Sequence, residues 1–541
     1  MPVPPLTPAC NSVARMKRHY RYVLLAVLVA GVVAAAISVV VVSNTTTTPT
    51  SGIASDKVVI IPTTGANLAA EIVTPKKPAK PALIVMPGGW GQQATANRAI
   101  ATKLASGGYL VIAYAERGFP ASTGSVDFGG AATQRDVSTV ITWALAHTRA
   151  DARRIGLFGL SYGAGLSLIA AAHDPRVKAV AALSTWADVA QSYDPQHTPS
   201  TEALGSLLAT PKYHLDATTE HLRKTLLDTP KSLGSVVRDL STSRSPATYV
   251  TQLNKNRPAI MLANGFEDSL FPASQLIPFF NALTTPKRIE LAAGDHGGPE
   301  SSALYGLAND TVHDVEAWFD YYLRGMDNGI QSAAPIQLQD VRTGVKHGYK
   351  TWPKPGKSHQ VNLGEPGSDA QTGASGSNTW EASVKAGSDS GAASGPLQIL
   401  SRTYTPPQVP LDSVASKDAF IWSGPAQTTS LSLNGTPSIR LLLGSTSKTA
   451  TIFIYLYDVT TDGLANLVNV EPFTATDLSK TPRPTTISMQ PISWTVPGGN
   501  HLALVIDTVD DRYASLTPKG ATVTIGSSAQ HPAVFINPVP D

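Results

Sequence analysis

From Val58 to Leu323 the chain alternates short, uninterrupted apolar runs with stretches of helical length, and this alternation restricts the fold more than any other feature of the sequence. The runs are Val58–Ile61, Leu68–Val73, Ala82–Met86, Tyr109–Ala113, Ile155–Phe158, Val177–Leu183, Ala259–Ala263 and Arg288–Leu291. Apolar runs of this length fit strands covered on both faces by helices. The intervening segments Asn97–Ala105, Thr133–His147, Tyr162–His173, Ala273–Ala282 and Val312–Leu323 supply those helices. The pattern predicts an α/β domain built on a doubly wound, mostly parallel sheet.

The rhythm breaks between Ser184 and Arg257, where no strong strand occurs and segments such as Thr218–Leu227 and Leu233–Leu240 read as helical. An insertion of that size after a sheet strand predicts a helical cap over about residues 185–256. The chain has 541 residues, well beyond the roughly 250–300 at which a single core stops growing, so a second domain is expected. Past Ile330 the periodicity shifts to two, most clearly in Thr451–Asp458, with short β-branched runs at His501–Thr508 and Ala521–Ile525. Residues 57–330 therefore read as the α/β domain and 331–541 as an antiparallel β-sandwich. Gly364–Gly395, rich in Gly, Ser and Ala, reads as a mobile loop with little to bury.

The N-terminus carries a different signal. Val23–Val42 is a run of 20 residues without a charge, which spans about 30 Å as a helix. Arg15, Lys17, Arg18 and Arg21 precede it, and the first acidic residue is Asp56. By the positive-inside rule, residues 1–22 stay in the cytoplasm, 23–42 form a transmembrane anchor, 43–56 serve as a linker, and the body is exported. The competing reading is a secreted protein with a cleaved signal peptide, whose apolar region is usually about 7–15 residues.

Charge and cysteine content narrow the function. Lys+Arg 42 against Asp+Glu 39 gives +3, and the four cations before the apolar run leave −1 for the rest. No basic surface for nucleic acid is predicted. Cys10 is the only cysteine, so the body has no disulfide, no cysteine-ligated metal and no thiol nucleophile. No metal or organic cofactor is implied, and nothing in the sequence fixes an oligomeric state.

Candidate chemistry centres on Gly159-Leu160-Ser161-Tyr162-Gly163, a G-x-S-x-G match with an apolar strand before it and an apolar helix after it. A serine raised on a tight strand-to-helix turn needs that order, and glycines are needed where strand and helix approach closely. A serine hydroxyl needs a base to become a nucleophile. His296, in the glycine-flanked loop after Arg288–Leu291, is the histidine placed downstream of both serine and cap. Asp268, just past the end of Ala259–Ala263, is the expected acid, with Glu267 and Asp295 as rivals. The expected oxyanion donors are the Tyr162 amide and the Gly89 or Trp90 amide in the Gly-rich loop after Ala82–Met86.

These residues resemble the cocaine-esterase-like and X-prolyl dipeptidyl-peptidase-like serine hydrolases. The likeness rests on the G-x-S-Y-G turn, on Arg117-Gly118 with Ser122 and Gly124 after the strand led by Gly108-Tyr109, on Trp352-Pro353, and on the β-rich tail from about Ser416. It implies an α/β-hydrolase fold, a C-terminal jelly-roll (galactose-binding-like) domain, and Ser161, Asp268 and His296 as a triad. The family often places a tyrosine directly after the proline of the third-strand loop to donate to the oxyanion. Here Pro87 is followed by Gly88-Gly89-Trp90, and an indole does not replace that hydroxyl, which leaves the backbone to supply both donors. No acidic pair that would grip a dipeptide's free amine stands out, which favours an esterase over a peptidase.

The sequence thus predicts a membrane-anchored, extracytoplasmic serine hydrolase acting on a small ester or peptide-like substrate. Its rivals are an X-Pro dipeptidyl-peptidase and a surface-binding protein with a vestigial hydrolase domain.

Overall fold

The computed structural model describes residues 52–209, 212–354, 360–367, 371–372, 379–387, 389–392 and 406–539. The apolar run Val23–Val42 and its flanks lie outside the described residues. Among the described residues no helix is long and apolar enough to cross a membrane.

Ten strands form the first sheet. They are β1 (Ile53–Thr63), β2 (Ala66–Pro75), β3 (Leu83–Pro87), β4 (Leu110–Tyr114), β5 (Ile155–Leu160), β6 (Val177–Leu183), β7 (Ala259–Gly265), β8 (Lys287–Ala292), β9 (Ile336–Gln339) and β10 (Lys346–Tyr349). Their order is β1-β2-β4-β3-β5-β6-β7-β8-β9-β10, parallel from β4 through β9 and antiparallel at both edges. Each apolar run expected to be a strand is one.

The reason for the uninterrupted apolar runs is visible in β3. Leu83 and Val85 face one core, and Ile84 and Met86 face the other. Helices α1 (Arg98–Ser106), α2 (Ala131–His147) and α3 (Tyr162–His173) cover the two faces: Ile100 and Leu104 of α1 join the second core, and Val137, Ile141 and Leu166 of α2 and α3 the first. The cap comprises α4 (Val189–Tyr193), α5 (Thr201–Leu208), α6 (Ala217–Asp228), α7 (Leu233–Arg244) and α8 (Val250–Asn256). Its Leu204, Leu222, Leu233 and Val237 belong to the same cluster as the sheet core, so the cap is packed down on the domain. Helices α9 (Leu276–Ala282) and α10 (Asp310–Arg324) complete the layer structure.

The second domain is all-β. Its principal strands are β11 (Trp380–Lys385), β12 (Phe420–Ser423), β13 (Ser438–Ser445), β14 (Ala450–Val459), β15 (Leu464–Ala475), β16 (Ile492–Val496), β17 (His501–Asp507) and β18 (Thr522–Ser527). One sheet contains β15-β14-β17-β12 and another β13-β18-β11, all paired antiparallel. Alternate residues of β14 (Ile452, Ile454 and Leu456) pack with Leu441, Leu443 and Ile525 of the facing sheet.

Three boundaries differ from those expected. Residues 331–349 were assigned to the sandwich, yet β9 pairs parallel with β8 and β10 closes the edge of the first sheet. Ile336 and Leu338 are buried there, but strands of four half-polar residues carry no marker of which sheet they join. Ile53–Asp56, expected in the linker, already form part of β1, which pairs with β2 through backbone bonds that need no apolar side chains. Within the expected mobile loop, β11 pairs with β18 because Trp380 and Val384 alternate inward to the sandwich core.

Candidate active site

Ser161 stands at the turn between β5 and α3 with φ 54° and ψ −119°. This region is costly for a non-glycine residue and persists only where the surroundings enforce it. The enforcement is steric. A Cβ on Gly159 would lie 2.3 Å from the Gly163 carbonyl oxygen, and one on Gly163 would lie 2.1 Å from that of Pro87. Both neighbours are backbone and cannot swing away. The two motif glycines therefore let α3 start directly against β5 and the β3 loop, and the serine projects at the C-terminal end of the sheet.

His296 arrives on the loop after β8. Its Nε2 lies 2.8 Å from Ser161 Oγ, and its Nδ1 lies 3.1 and 3.0 Å from Asp268 Oδ1 and Oδ2. With the proton on Nδ1, Nε2 is left to accept from the serine hydroxyl. Burial on its own would lower the imidazole pKa. The Asp268 charge and hydrogen bond outweigh it, with help from Glu300 and Asp295, and hold the pKa above its ordinary value.

Asp268 is itself held rigidly. Its Oδ1 accepts from the Leu270 and Phe271 amides at 3.0 and 2.7 Å, and its Oδ2 accepts from Asn264 Nδ2 at 3.1 Å. The rivals do other work. Glu267 Oε2 accepts from the Gly294 amide at 2.9 Å, and Asp295 Oδ1 accepts from the Ser269 and His296 amides, each at 2.7 Å. Both carboxylates tie the acid loop to the histidine loop.

The Tyr162 amide opens α3, among the first-turn N–H groups that have no acceptor within the helix. The Gly89 amide donates to Gln92 Oε1 at 3.0 Å. That bond engages one of the two amides expected from this loop and leaves Trp90. The Trp90 indole packs edge-on against Phe119, Phe128 and Tyr162 at 5.0–5.7 Å, so it is part of a wall and is not a hydroxyl substitute. The wall continues to the base. Tyr193 of the cap lies 5.7 Å from Phe128 and 5.8 Å from Phe271, and Phe271 lies 5.2 Å from the His296 ring.

The other motif residues are architectural. Arg117 forms a buried two-pronged pair with Asp136 at 2.7 and 2.8 Å. Ser122 Oγ donates to Ala115 O and accepts from the Ala69 amide. Trp352 Nε1 donates to Thr436 Oγ1 at 3.1 Å and joins the connector to the second domain.

Sequence reasoning missed Asn264, Ser184, Tyr193 and Phe271. Ser184 Oγ accepts from the Gly297 amide at 3.0 Å and steadies the histidine loop. Asn264 had a signal, a polar residue ending an otherwise apolar strand. The aromatic wall had none, because its members come from separate helices and loops far apart in the chain.

A hydroxyl–imidazole–carboxylate line at the carboxyl edge of a doubly wound sheet belongs to a class, the α/β serine hydrolases. Comparison with known proteins specifies it further. The family model described as X-Pro dipeptidyl-peptidase (S15 family) matches residues 64–298, and that of the X-Pro dipeptidyl-peptidase C-terminal non-catalytic domain matches residues 328–534. The chain belongs to the X-Pro dipeptidyl-peptidase-like family of serine hydrolases. Proteins of Bacillus anthracis and Bacillus cereus provisionally named Xaa-Pro dipeptidyl-peptidases are each 24% identical over 222 residues, which is 37% of this chain. The matches span only about a third of those relatives (34% and 35%).

The same fold is seen in solved structures of low sequence identity. An aminopeptidase from a Thaumarchaeota archaeon superposes with TM-score 0.69 at 13% identity, covering 90% of this chain and 97% of its own. An α-amino acid ester hydrolase gives 0.68 at 15% identity, covering 92% and 99%. A CocE/NonD family hydrolase from Staphylococcus aureus gives 0.67 at 14%, covering 90% and 93%.

Proposed function

We propose that the protein cleaves ester or amide bonds of small substrates through an acyl-enzyme formed on Ser161. The observation that carries this is the continuous contact from Ser161 Oγ through His296 to Asp268. His296 takes the serine proton during attack and returns it to the leaving group, and Asp268 keeps the proton on Nδ1 and stabilises the imidazolium. The Tyr162 and Trp90 amides are the proposed donors to the developing oxyanion, each worth about 2.7–4 kcal/mol in the transition state. No step calls on a metal or an organic cofactor.

The wall beside the base favours an esterase. Leu270 and Phe271 follow the acid, Tyr193 faces them from the cap, and Glu267, Asp268 and Asp295 are each engaged in loop contacts. The second reading, an X-Pro dipeptidyl-peptidase, is favoured by the two family models.

Nitrophenyl esters, Ala-Pro nitroanilide and its N-acetyl form separate the two readings. We expect kcat/KM for the best ester to exceed that for the free-amine anilide by at least about 100-fold, and acetylation to cost less than about threefold. A strong requirement for the free amine would overturn the esterase reading.

We further propose that Val23–Val42 anchors the enzyme in the cytoplasmic membrane with its body outside. The expected result is retention in the membrane pellet after alkaline carbonate washing, and release into the wash contradicts it. The second domain is proposed to be of the jelly-roll type.

A further inference from the structure

The second domain reaches the aromatic wall through one buried carboxyl group. Glu471 lies on β15 and is 2% exposed. Its Oε1 accepts from Gln196 Nε2 of the cap at 2.5 Å, and its Oε2 accepts from Gln490 Nε2 at 2.8 Å. Gln490 Oε1 in turn accepts from the Ser274 amide at 3.0 Å. Gln196 is three residues after Tyr193, and Ser274 is three residues after Phe271. Glu471 thus joins the chain segments that carry both rings of the wall beside His296.

The cap segment it holds does not rest in a relaxed conformation. Gln196 and His197 have φ 44° and 63°, two consecutive non-glycine residues in the left-handed region. Such a pair is strained and persists only when surrounding contacts over-determine it. Those contacts come from the second domain. Gln196 Nε2 also donates to Ser488 O at 2.9 Å, the Thr198 hydroxyl meets that of Thr474 at 2.8 Å, and Glu202 N donates to Arg512 O at 3.0 Å.

We propose that Glu471 is a positioning residue: it locks the Gln196 and Ser274 segments and so sets the Tyr193–Phe271 wall that receives the acyl group. The proposal rests on the hydrolase reading above and deepens it by giving the second domain a role in substrate fit. No cation is hydrogen-bonded to Glu471. The titratable groups of the facing cap segment are Tyr193, Asp194, paired with Arg238, His197, which interacts with Asp194, and Glu202. The remainder of β15, the Ser274 loop and β16 contribute none. On β14, the residue opposite Glu471 is Ile454, and Asp458 is bonded to Trp494 and Asn500.

Burial raises the Glu471 pKa to about 8, opposed only by the two amide hydrogen bonds. The docked interface therefore binds the proton more tightly than an open one does. Docking weakens as pH rises from the ordinary carboxyl value of 4.5 towards about 8, and above about 8 the carboxylate is charged in place. His296 acts at the other end of the profile, because its raised pKa delays formation of the neutral base as pH rises.

The test uses the full chain, with KM and kcat for a nitrophenyl ester measured from pH 6 to 9.5 alongside the rate of labelling by a fluorophosphonate. For the wild type we expect KM to rise at least about fivefold between pH 7 and 9.5, while kcat rises only as His296 loses its proton and then levels off. Glu471→Gln cannot take up charge but turns its NH2 group towards one of the two amide donors, so it should raise KM modestly at pH 7 and lose the alkaline rise. Glu471→Ala should raise KM about fivefold or more at every pH. An alkaline KM rise in Glu471→Gln equal to that of the wild type, or an unchanged KM in Glu471→Ala, overturns the proposal. Failure of the hydrolase reading is separately visible: hydrolysis and labelling would then survive Ser161→Ala.

Discussion

Asp268→Asn is expected to lower kcat by about 10³–10⁴-fold while leaving the fold in place. The asparagine Oδ1 can still accept from the Leu270 and Phe271 amides, as Asp268 Oδ1 does. Its NH2 group then faces Asn264 Nδ2 and His296 Nδ1, where Asp268 Oδ2 now accepts both. Donation to Nδ1 forces the ring proton onto Nε2, the nitrogen 2.8 Å from Ser161 Oγ, and the base is lost. Asp295→Asn is the matched control. Its carbonyl oxygen can keep the Ser269 and His296 amide contacts, so we expect a loss of less than about tenfold. Steady-state kinetics with the same ester, alongside circular dichroism, separates the two acids. Equal losses in both variants would remove Asp268 from its proposed role.

Ser161→Ala carries the other large effect, an expected drop in kcat of about 10⁴–10⁶-fold. The substitution removes one oxygen and keeps the Cβ, so the φ of 54° and the packing around it are unchanged. The lost contact is the 2.8 Å one to His296, with no other side-chain partner to orphan. Urea unfolding midpoints for variant and wild type should therefore agree, and a large shift would mean that the serine supports structure instead of chemistry.

How far the sequence revealed the fold depended on the range of the interactions involved. Strands such as Leu83–Pro87 were legible because both faces are buried and every residue is apolar. The residues proposed as a triad could be located because they sit at strand ends in a fixed chain order, which uninterrupted runs make easy to follow. The pairing of Ile336–Gln339 with the first sheet was not legible, because its partner β8 is named by backbone pairing alone. Trp380–Lys385 was hidden in a stretch whose composition suggests no core, although Trp380 and Val384 find one. The engagement of Gly89 by Gln92 depends on a side-chain rotamer that composition does not encode. Glu471 was missed for the simplest reason: it is 275 residues from Gln196, with no local mark of a shared interface.

The most direct measurement is the mass of the peptide containing residues 155–176 after treatment of the full-length protein with a fluorophosphonate. A single phosphonyl adduct on Ser161, absent from Ser161→Ala and much slower to form in Asp268→Asn, is the result expected from a nucleophile activated through His296. An adduct on another residue, or labelling of Ser161→Ala at the wild-type rate, would contradict it.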